Sequence, residues 1–356
     1  MVVLKMKKIV IVSIVSLLIF SCKEVAPEVN PQEAGSQEAS LESNDTRLDE
    51  IYQLILENPN SEKGYYQLAQ YHLDKNDPEQ ALKQINRAMK IAPKDANINF
   101  VKAMAYLGIN KIEQGLPFLE RTIELDSNHT EGLLELAYYY LAGKNYEPSL
   151  ELINRAISLN MYMAKPYYLK GMWYEQQNQN ELAISSYQTA VERDPNYYNA
   201  YLALGSIHNK MDNPLAIQYF NSAISTWPES IEAWRLKGMS YYEHNQFEEA
   251  IVCFDTILYF DSTFEVSYFD IGRTLINLCY DNNPKEKNDS LLDLAIDNFD
   301  KALKLNVNYI PAKYNRALCY ETKGNKKLAK SEYREILKLE TNYEPAIDAL
   351  NRLDKN

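Results

Sequence analysis

Between residues 62 and 343, apolar side chains recur at the i, i+3, i+4, i+7 spacing of an amphipathic helix, break at a short polar stretch, and recur again. In the first such stretch Tyr65, Leu68, Ala69 and His72 share one helical face, and Ala81, Ile85 and Ala88 share a face of a second helix. Pro93 follows and stops the second helix. The whole pattern returns every 34 residues, so it is a repeat and not a series of unrelated helices. With Glu62 as position 1, the register restarts at Ala96, Thr130, Ala164, Tyr198, Ile231, Glu265 and Ile310. The units are therefore 62–95, 96–129, 130–163, 164–197, 198–230, 231–264, 265–309 and 310–343.

The residue sizes say how each helix pair packs. Position 8 reads Ala69, Ala103, Ala137, Gly171, Gly205, Gly238, Gly272 and Ala317. Position 20 reads Ala81, Gly115, Ser149, Ala183, Ala216, Ala250, Ala295 and Ala329. Small residues at both places let two helices approach closely, and large residues at 4, 11 and 24 fill the space around the contact. Position 27 follows suit except at Ile257 and Ile336. Position 4 is aromatic in five units and departs at Asn99, Leu133 and Lys313. Pro closes the unit as Pro93, Pro195 and Pro228, whereas Ser127, Met161, Ser262, Val307 and Thr341 stand there elsewhere. A helix pair cannot bury its apolar face alone, so the units must stack on one another.

This set of positions resembles the tetratricopeptide repeat over residues 62–343 of the 356. The resemblance implies an all-α fold: a right-handed superhelical solenoid of about eight helix pairs. Its ends need caps, and 45–61 and 344–356 supply candidate helices at Arg47–Leu56 and Glu344–Leu353. The fifth unit has 33 residues and the seventh has 45. The added residues of the seventh, around 280–291, read as a polar surface loop or a dedicated contact.

The first 44 residues do not share the pattern. Lys5, Lys7 and Lys8 precede an apolar run, 9–20, interrupted only by Ser13 and Ser16. That run is shorter than the roughly 20 residues of a membrane-spanning helix, and its flanks suit a secretory signal, with Met1 or Met6 as the start. Ile19-Phe20-Ser21-Cys22 resembles the lipobox of bacterial lipoproteins, with Phe20 bulkier than the common choice. The resemblance implies a signal peptide at 1–21 and acylation of Cys22, whose chains would anchor the protein in a membrane. An ordinary cleaved signal with a coincidental Cys is the alternative. Lys23-Glu24 is similar to the surface-export signal of some Bacteroidetes lipoproteins, though only one acid follows the Lys. Residues 23–44 contain no aromatic and read as a disordered tether. The expected location is the cell envelope, anchored by lipid in the outer membrane, on the periplasmic face sooner than on the cell surface.

Composition removes several functions. The net charge of −12 argues against nucleic acid and against electrostatic attachment to anionic lipid. Cys253, Cys279 and Cys319 form no CxxC pair, and with the scattered His72, His129, His208 and His244 they offer no zinc spacing. Dinucleotide, P-loop, zinc-protease and serine-hydrolase motifs are missing. No cofactor, metal or small-molecule substrate is expected, and neither is an enzyme.

In tetratricopeptide proteins the first helices line a concave groove, with positions 5 and 9 among those facing it. Carried over, position 5 gives Tyr66, Phe100, Leu134, Tyr168, Leu202, Arg235, Phe269 and Tyr314, and position 9 gives Gln70, Met104, Tyr138, Met172, Ser206, Met239, Arg273 and Leu318. The packing template asks for apolar residues at neither position, so an aromatic and Met-rich lining suits a bound peptide. A carboxylate clamp of Lys and Asn at these positions is absent from the first units, where Tyr66 and Gln70 stand. The expected role is a scaffold that recruits peptide segments of envelope proteins. The alternative is a structural component of the envelope, such as part of a secretion or gliding machinery, without a peptide ligand.

Overall fold

The computed structural model describes residues 45–281 and 289–355, and among them are eighteen helices and no strand. The signal segment 1–21, Cys22 and the tether to residue 44 lie outside the described residues. A first compact unit ends at Pro59 and contains α1, Thr46–Glu57, whose first turn is capped by the Asp45 carboxylate accepting the Arg47 N–H at 3.2 Å.

The second compact unit, Asn60–Asn356, is a stack of helix pairs. The pairs are α2 Glu62–Asp74 with α3 Pro78–Ile91, α4 Ala96–Gly108 with α5 Ile112–Leu125, α6 Thr130–Ala142 with α7 Tyr146–Leu159, and α8 Ala164–Gln176 with α9 Asn180–Arg193. They continue as α10 Tyr198–Lys210 with α11 Leu215–Thr226, α12 Ile231–Glu243 with α13 Phe247–Phe260, α14 Glu265–Asp281 with α15 Asp289–Leu305, and α16 Ile310–Thr322 with α17 Lys326–Leu339. A single helix, α18 Glu344–Lys355, closes the series and buries Ala346, Ala349 and Leu353 against the last pair. Each helix packs on its sequence neighbours. The substantial contacts between helices not consecutive in the chain join first helices only: α2 with α4, α6 with α8, α10 with α12 and α14 with α16. The first helices therefore share one face of the stack, called here the inner face.

Two local devices make each unit. The chain reverses between paired helices through one residue with positive φ at position 15: Asn76, Asn110, Lys144, Asn178, Asp212, Asn245 and Gly324. Left-handed backbone favours Gly, Asn and Asp, which is why six of the seven are of those types. In four units the turn to the next is closed by a side chain: Asp126, Asn160, Asp194 and Asp261, at position 31, accept the backbone N–H two residues on, at 2.9, 3.0, 2.9 and 2.8 Å. The bond forms with Pro195 at position 32 as well as with Ser127, Met161 and Ser262 there.

Inside each pair the sizes at positions 8 and 24 are matched. A Cβ added at Gly171, Gly205, Gly238 or Gly272 would collide with the ring of Tyr187, Phe220, Phe254 or Phe299 respectively. Where position 8 is Ala69, Ala103 or Ala137, the facing residue is the aliphatic Ile85, Leu119 or Ile153, all fully buried. Ala317 opposite Tyr333 is the exception.

The seventh pair departs from expectation. The added residues do not form one long surface loop: α14 and α15 each have 17 residues, against 13 and 14 in most pairs. Seven of the added residues are thus helical, four in α14 (17−13) and three in α15 (17−14). The reason lies at position 15, where this unit has the buried Cys279 in place of a turn-forming residue, so the helix runs on to Asp281. The lengthened pair leans on the next unit: Tyr280 Oη lies 3.3 Å from Thr322 Oγ1, and Lys323 Nζ lies 2.6 Å from Asp293 Oδ1.

Candidate functional site

Positions 5 and 9 differ in what the fold does with them. The position-5 residues are largely consumed by packing, which corrects the expectation that the template leaves them free. Tyr168 lies between the rings of Tyr187 and Tyr197, with centroids 5.7 and 5.4 Å away. Phe269 lies between Phe299 (6.1 Å) and Tyr309 (5.3 Å), and Tyr314 between Tyr333 (5.7 Å) and Tyr343 (5.8 Å). Phe100 packs on His129 at 4.9 Å. Leu134 is 1% exposed among Ala137, Ile153 and Leu169, and offers no surface at all. In four units the ring of the last residue, position 34, packs on position 5: His129, Tyr197, Tyr309 and Tyr343. Tyr66 keeps a polar edge, its hydroxyl accepting from Gln70 Nε2 at 2.8 Å.

Position 9 is filled less evenly. Tyr138 is 36% exposed, whereas Met104, Met172 and Met239 are half-buried, Met172 and Met239 against core residues. Around them, hydrogen bonds cross from unit to unit along the first helices. Lys165 reaches Glu135 (2.5 Å), Lys210 reaches Glu175 (2.7 Å), Asn209 donates to Glu243 (2.6 Å), and Asn277 donates to the Tyr242 hydroxyl (2.6 Å). Glu175 and Glu321, both at position 12, also accept the buried hydroxyls of Tyr187 and Tyr333 at 3.0 Å. Burial and the facing carboxylate hold both phenols far above their ordinary range, so they remain neutral donors. Arg352 from α18 completes the row by pairing with Glu321 at 2.9 Å.

One charged cluster stands apart on this face. Asp270, at position 6 of the seventh unit, is 1% exposed. It accepts from Arg235 Nε at 3.1 Å and faces Arg273 Nη2 at 3.5 Å. Burial pushes the Asp270 carboxyl above its ordinary range, against the opposing pull of the two guanidiniums. Arg273 lies over the Tyr242 ring, 4.2 Å from its centroid, and touches Met239 Sδ at 3.2 Å.

Nothing among the described residues assembles a metal site, and no described helix is long and apolar enough to cross a membrane. Cys253, Cys279 and Cys319 are buried, with Cys253 pushed up to about 11 and Cys319 to about 12 by burial. Thiols buried like Cys253 and Cys319, and so hard to ionise, are packing residues. His208, at position 11, is likewise core: 6% exposed and stacked on Tyr219 at 5.2 Å.

Family models agree with this architecture at three places. Residues 171–212 match a TPR repeat model and residues 310–352 a tetratricopeptide repeat model. The chain carries tetratricopeptide repeats. Residues 49–122 match the model of anaphase-promoting complex (cyclosome) subunit 3. The chain is 25% identical over 158 residues to anaphase-promoting complex subunit 3 of Schizosaccharomyces pombe, and 32% identical over 117 residues to the Dictyostelium discoideum protein of that name. These alignments cover 44% and 30% of this chain but only 24% and 12% of those proteins. Among solved structures, the Cut9–Hcn1 hetero-tetramer of that complex superposes with a TM-score of 0.50 at 17% identity, covering 86% of this chain and 58% of the other. The C-terminal part of a tetratricopeptide protein from Cytophaga hutchinsonii does so with a TM-score of 0.50 at 20% identity, covering 80% and 99%. At those identities the likeness concerns the fold. It is a protein–protein interaction fold, and scaffolds built on it are generally non-catalytic.

Proposed function

We propose that this tetratricopeptide chain is a non-catalytic adaptor that binds peptide segments of envelope proteins along its inner face, held at a membrane by a lipid on Cys22. The observation that carries the binding reading is the aromatic and Met-rich lining of positions 5 and 9 on the inner face. It is half-buried at Tyr66, Phe100, Met104, Tyr168, Met172 and Met239, and Tyr138 is 36% exposed. Adaptable Met and a partly open Tyr are what a surface for extended or helical peptides uses. The membrane reading rests on the sequence around Ile19-Phe20-Ser21-Cys22.

The test of the face is a crosslinked capture with the native chain and with Met104→Glu, Tyr138→Glu, Met172→Glu combined. A partner held by the native chain and lost by an equally helical variant supports the reading, and identical partners overturn it. Tyr168 is left intact because its ring belongs to the core. The test of the anchor is Cys22→Ala, which should release the protein from membranes; unchanged retention would sink that part. A second reading, a structural component of the envelope that self-associates, is favoured by the outer helix α13. There Val252 and Tyr259 are 63% and 85% exposed. Indifference to the inner-face variant together with loss of self-association in Val252→Ser, Tyr259→Ser would establish it.

A further inference from the structure

We infer that two copies of this chain pair about a two-fold axis, each seating Tyr259 of α13 in a cleft between units seven and eight of the other; this rests on α13 being a surface of self-association, as in the second reading above. The cleft marks a place where the repeat lacks a ring. At position 4 the first helix of a unit reaches back to the turn before it. Tyr167, Trp234 and Tyr268 donate to the carbonyls of Met161, Pro228 and Ser262, at position 32 of the preceding units, at 3.2, 2.8 and 3.4 Å. Asn99 donates to the Pro93 carbonyl in the same way at 3.2 Å. In unit eight position 4 is Lys313, which has no ring. A cleft of about 290 Å³ lies there, lined by Asp300, Leu303, Lys304, Val307, Lys313 and Arg316. The sister units show what such a place accommodates. Trp234 lies 5.0 Å from the Nζ of Lys237 at position 7, and Arg316 holds position 7 in unit eight. A ring carrying a donor can therefore enter against Arg316 and donate to the carbonyl of Val307, which holds position 32.

The same chain has a ring without a socket. Tyr259 is 85% exposed, the highest value among the described large apolar side chains, and Val252 on the same helical face is 63% exposed. The charges on the two surfaces are complementary. α13 carries Glu248, Glu249 and Asp255 and no base, and Lys301 beside Asp255 is bonded to Asp297 at 2.7 Å. At the cleft the carboxylates are already engaged: Asp300 and Glu332 bind Arg316, and Glu335 binds Lys338 at 2.5 Å. Lys304 and Lys313 on the rim, and Lys326, Lys327 and Arg334 on α17, are left to meet acids from outside. Asp255 stands one turn before Tyr259, so it arrives at the rim when the ring enters. Tyr259 holds position 29 of unit six and Lys304 position 29 of unit seven, so ring and cleft lie on one side of the stack. A surface that contains both a ring and its socket is self-complementary, and a two-fold axis between them satisfies both contacts at once. The acids of α15 near that axis bring no repulsion, since Asp293 is paired with Lys323 and Asp297 with Lys301.

The experiment is sedimentation velocity of the full chain in neutral detergent over a range of concentrations. The native chain should show a monomer–dimer equilibrium. Tyr259→Ser removes the ring, and Lys313→Tyr fills the cleft from within, as Tyr268 does one unit earlier. Each should raise the dissociation constant by about tenfold or more, with melting temperatures as native. Mixed together they still offer one ring and one open cleft, so the mixture should associate more tightly than either variant alone. Dimers weakened by Tyr259→Ser but unchanged by Lys313→Tyr would overturn the cleft and leave α13 standing as the surface. A mixture no tighter than its parts would overturn the pairing of ring with cleft. Open assemblies larger than a dimer would overturn the two-fold axis. Dimers indifferent to Tyr259→Ser, or a native chain that stays monomeric, would overturn both the insertion and the α13 surface.

Discussion

Phe220 occupies the volume that Gly205 leaves empty: a Cβ on Gly205 would stand 2.5 Å from Phe220 Cε1. Gly205→Ala should therefore overpack the fifth pair and destabilise the protein by about 1–3 kcal/mol. Adding Phe220→Leu should recover part of the loss, because the pair would then resemble Ala103 facing Leu119. Chemical denaturation of the two single variants and the double variant measures the coupling, and strict additivity would contradict the matching.

Tyr138 and Tyr168 look alike in the sequence and should respond in opposite ways. Tyr168→Glu places a charge between Tyr187 and Tyr197 and should cost about 3 kcal/mol or more. Tyr138→Glu, at a ring 36% exposed, should stay within about 0.5 kcal/mol of native. Thermal melts followed by circular dichroism decide, and equal losses would refute the difference between the two rings.

His208 ties stability to pH. Its ring is buried, neither nitrogen has a partner, and burial lowers its pKa from 6.5, so the folded state holds it neutral. The unfolded chain takes up a proton near pH 6.5 and the folded chain does so only lower, so the unfolded state binds more protons between the two values. The contribution of this group to stability is complete above about pH 6.5 and declines as pH falls from there through the folded pKa. Urea midpoints between pH 7.5 and 5.5 should fall, and His208→Phe, stacked on Tyr219 in its place, should flatten part of that slope.

Lys144 is the one position-15 turn residue that is not Asn, Asp or Gly, at φ 60°. Lys144→Asn should stabilise the third pair by about 0.5 kcal/mol, since Asn tolerates left-handed backbone better. A lowered melting temperature would show that the Lys side chain has a role the turn does not reveal.

Removing α18 should loosen the last pair first. Ala346, Ala349 and Leu353 cover Ala317, Tyr333 and Ile336. In a chain ending at residue 343, amide exchange in α16 and α17 should accelerate well before that in α8 and α9. Uniform acceleration along the stack would contradict the nearest-neighbour picture.

The repeat, its register and the helix pairs were legible because small and large residues recur at fixed offsets. The matched sizes at positions 8 and 24 were legible too, since Gly171 faces Tyr187 where Ala69 faces Ile85, but each position was read down its own column and not against the other. The left-handed turn was signalled by Asn at position 15, and the absence of that signal at Cys279 foretold the continuation of α14. The fate of position 5 was harder to read, because in four units it depends on a ring at position 34 packing on it, a contact no helical periodicity reports. Asp270 was missed for a similar reason: its partners lie one turn away on its own helix and one unit back in the stack.

The lengthened pair α14–α15 has a consequence for recognition. A rod of equal units offers a ligand several registers of nearly equal energy, each displaced from the last by one repeat. One oversized unit, with its added turns leaning on Thr322 and Lys323, removes that translational degeneracy and gives the rod a distinguishable end.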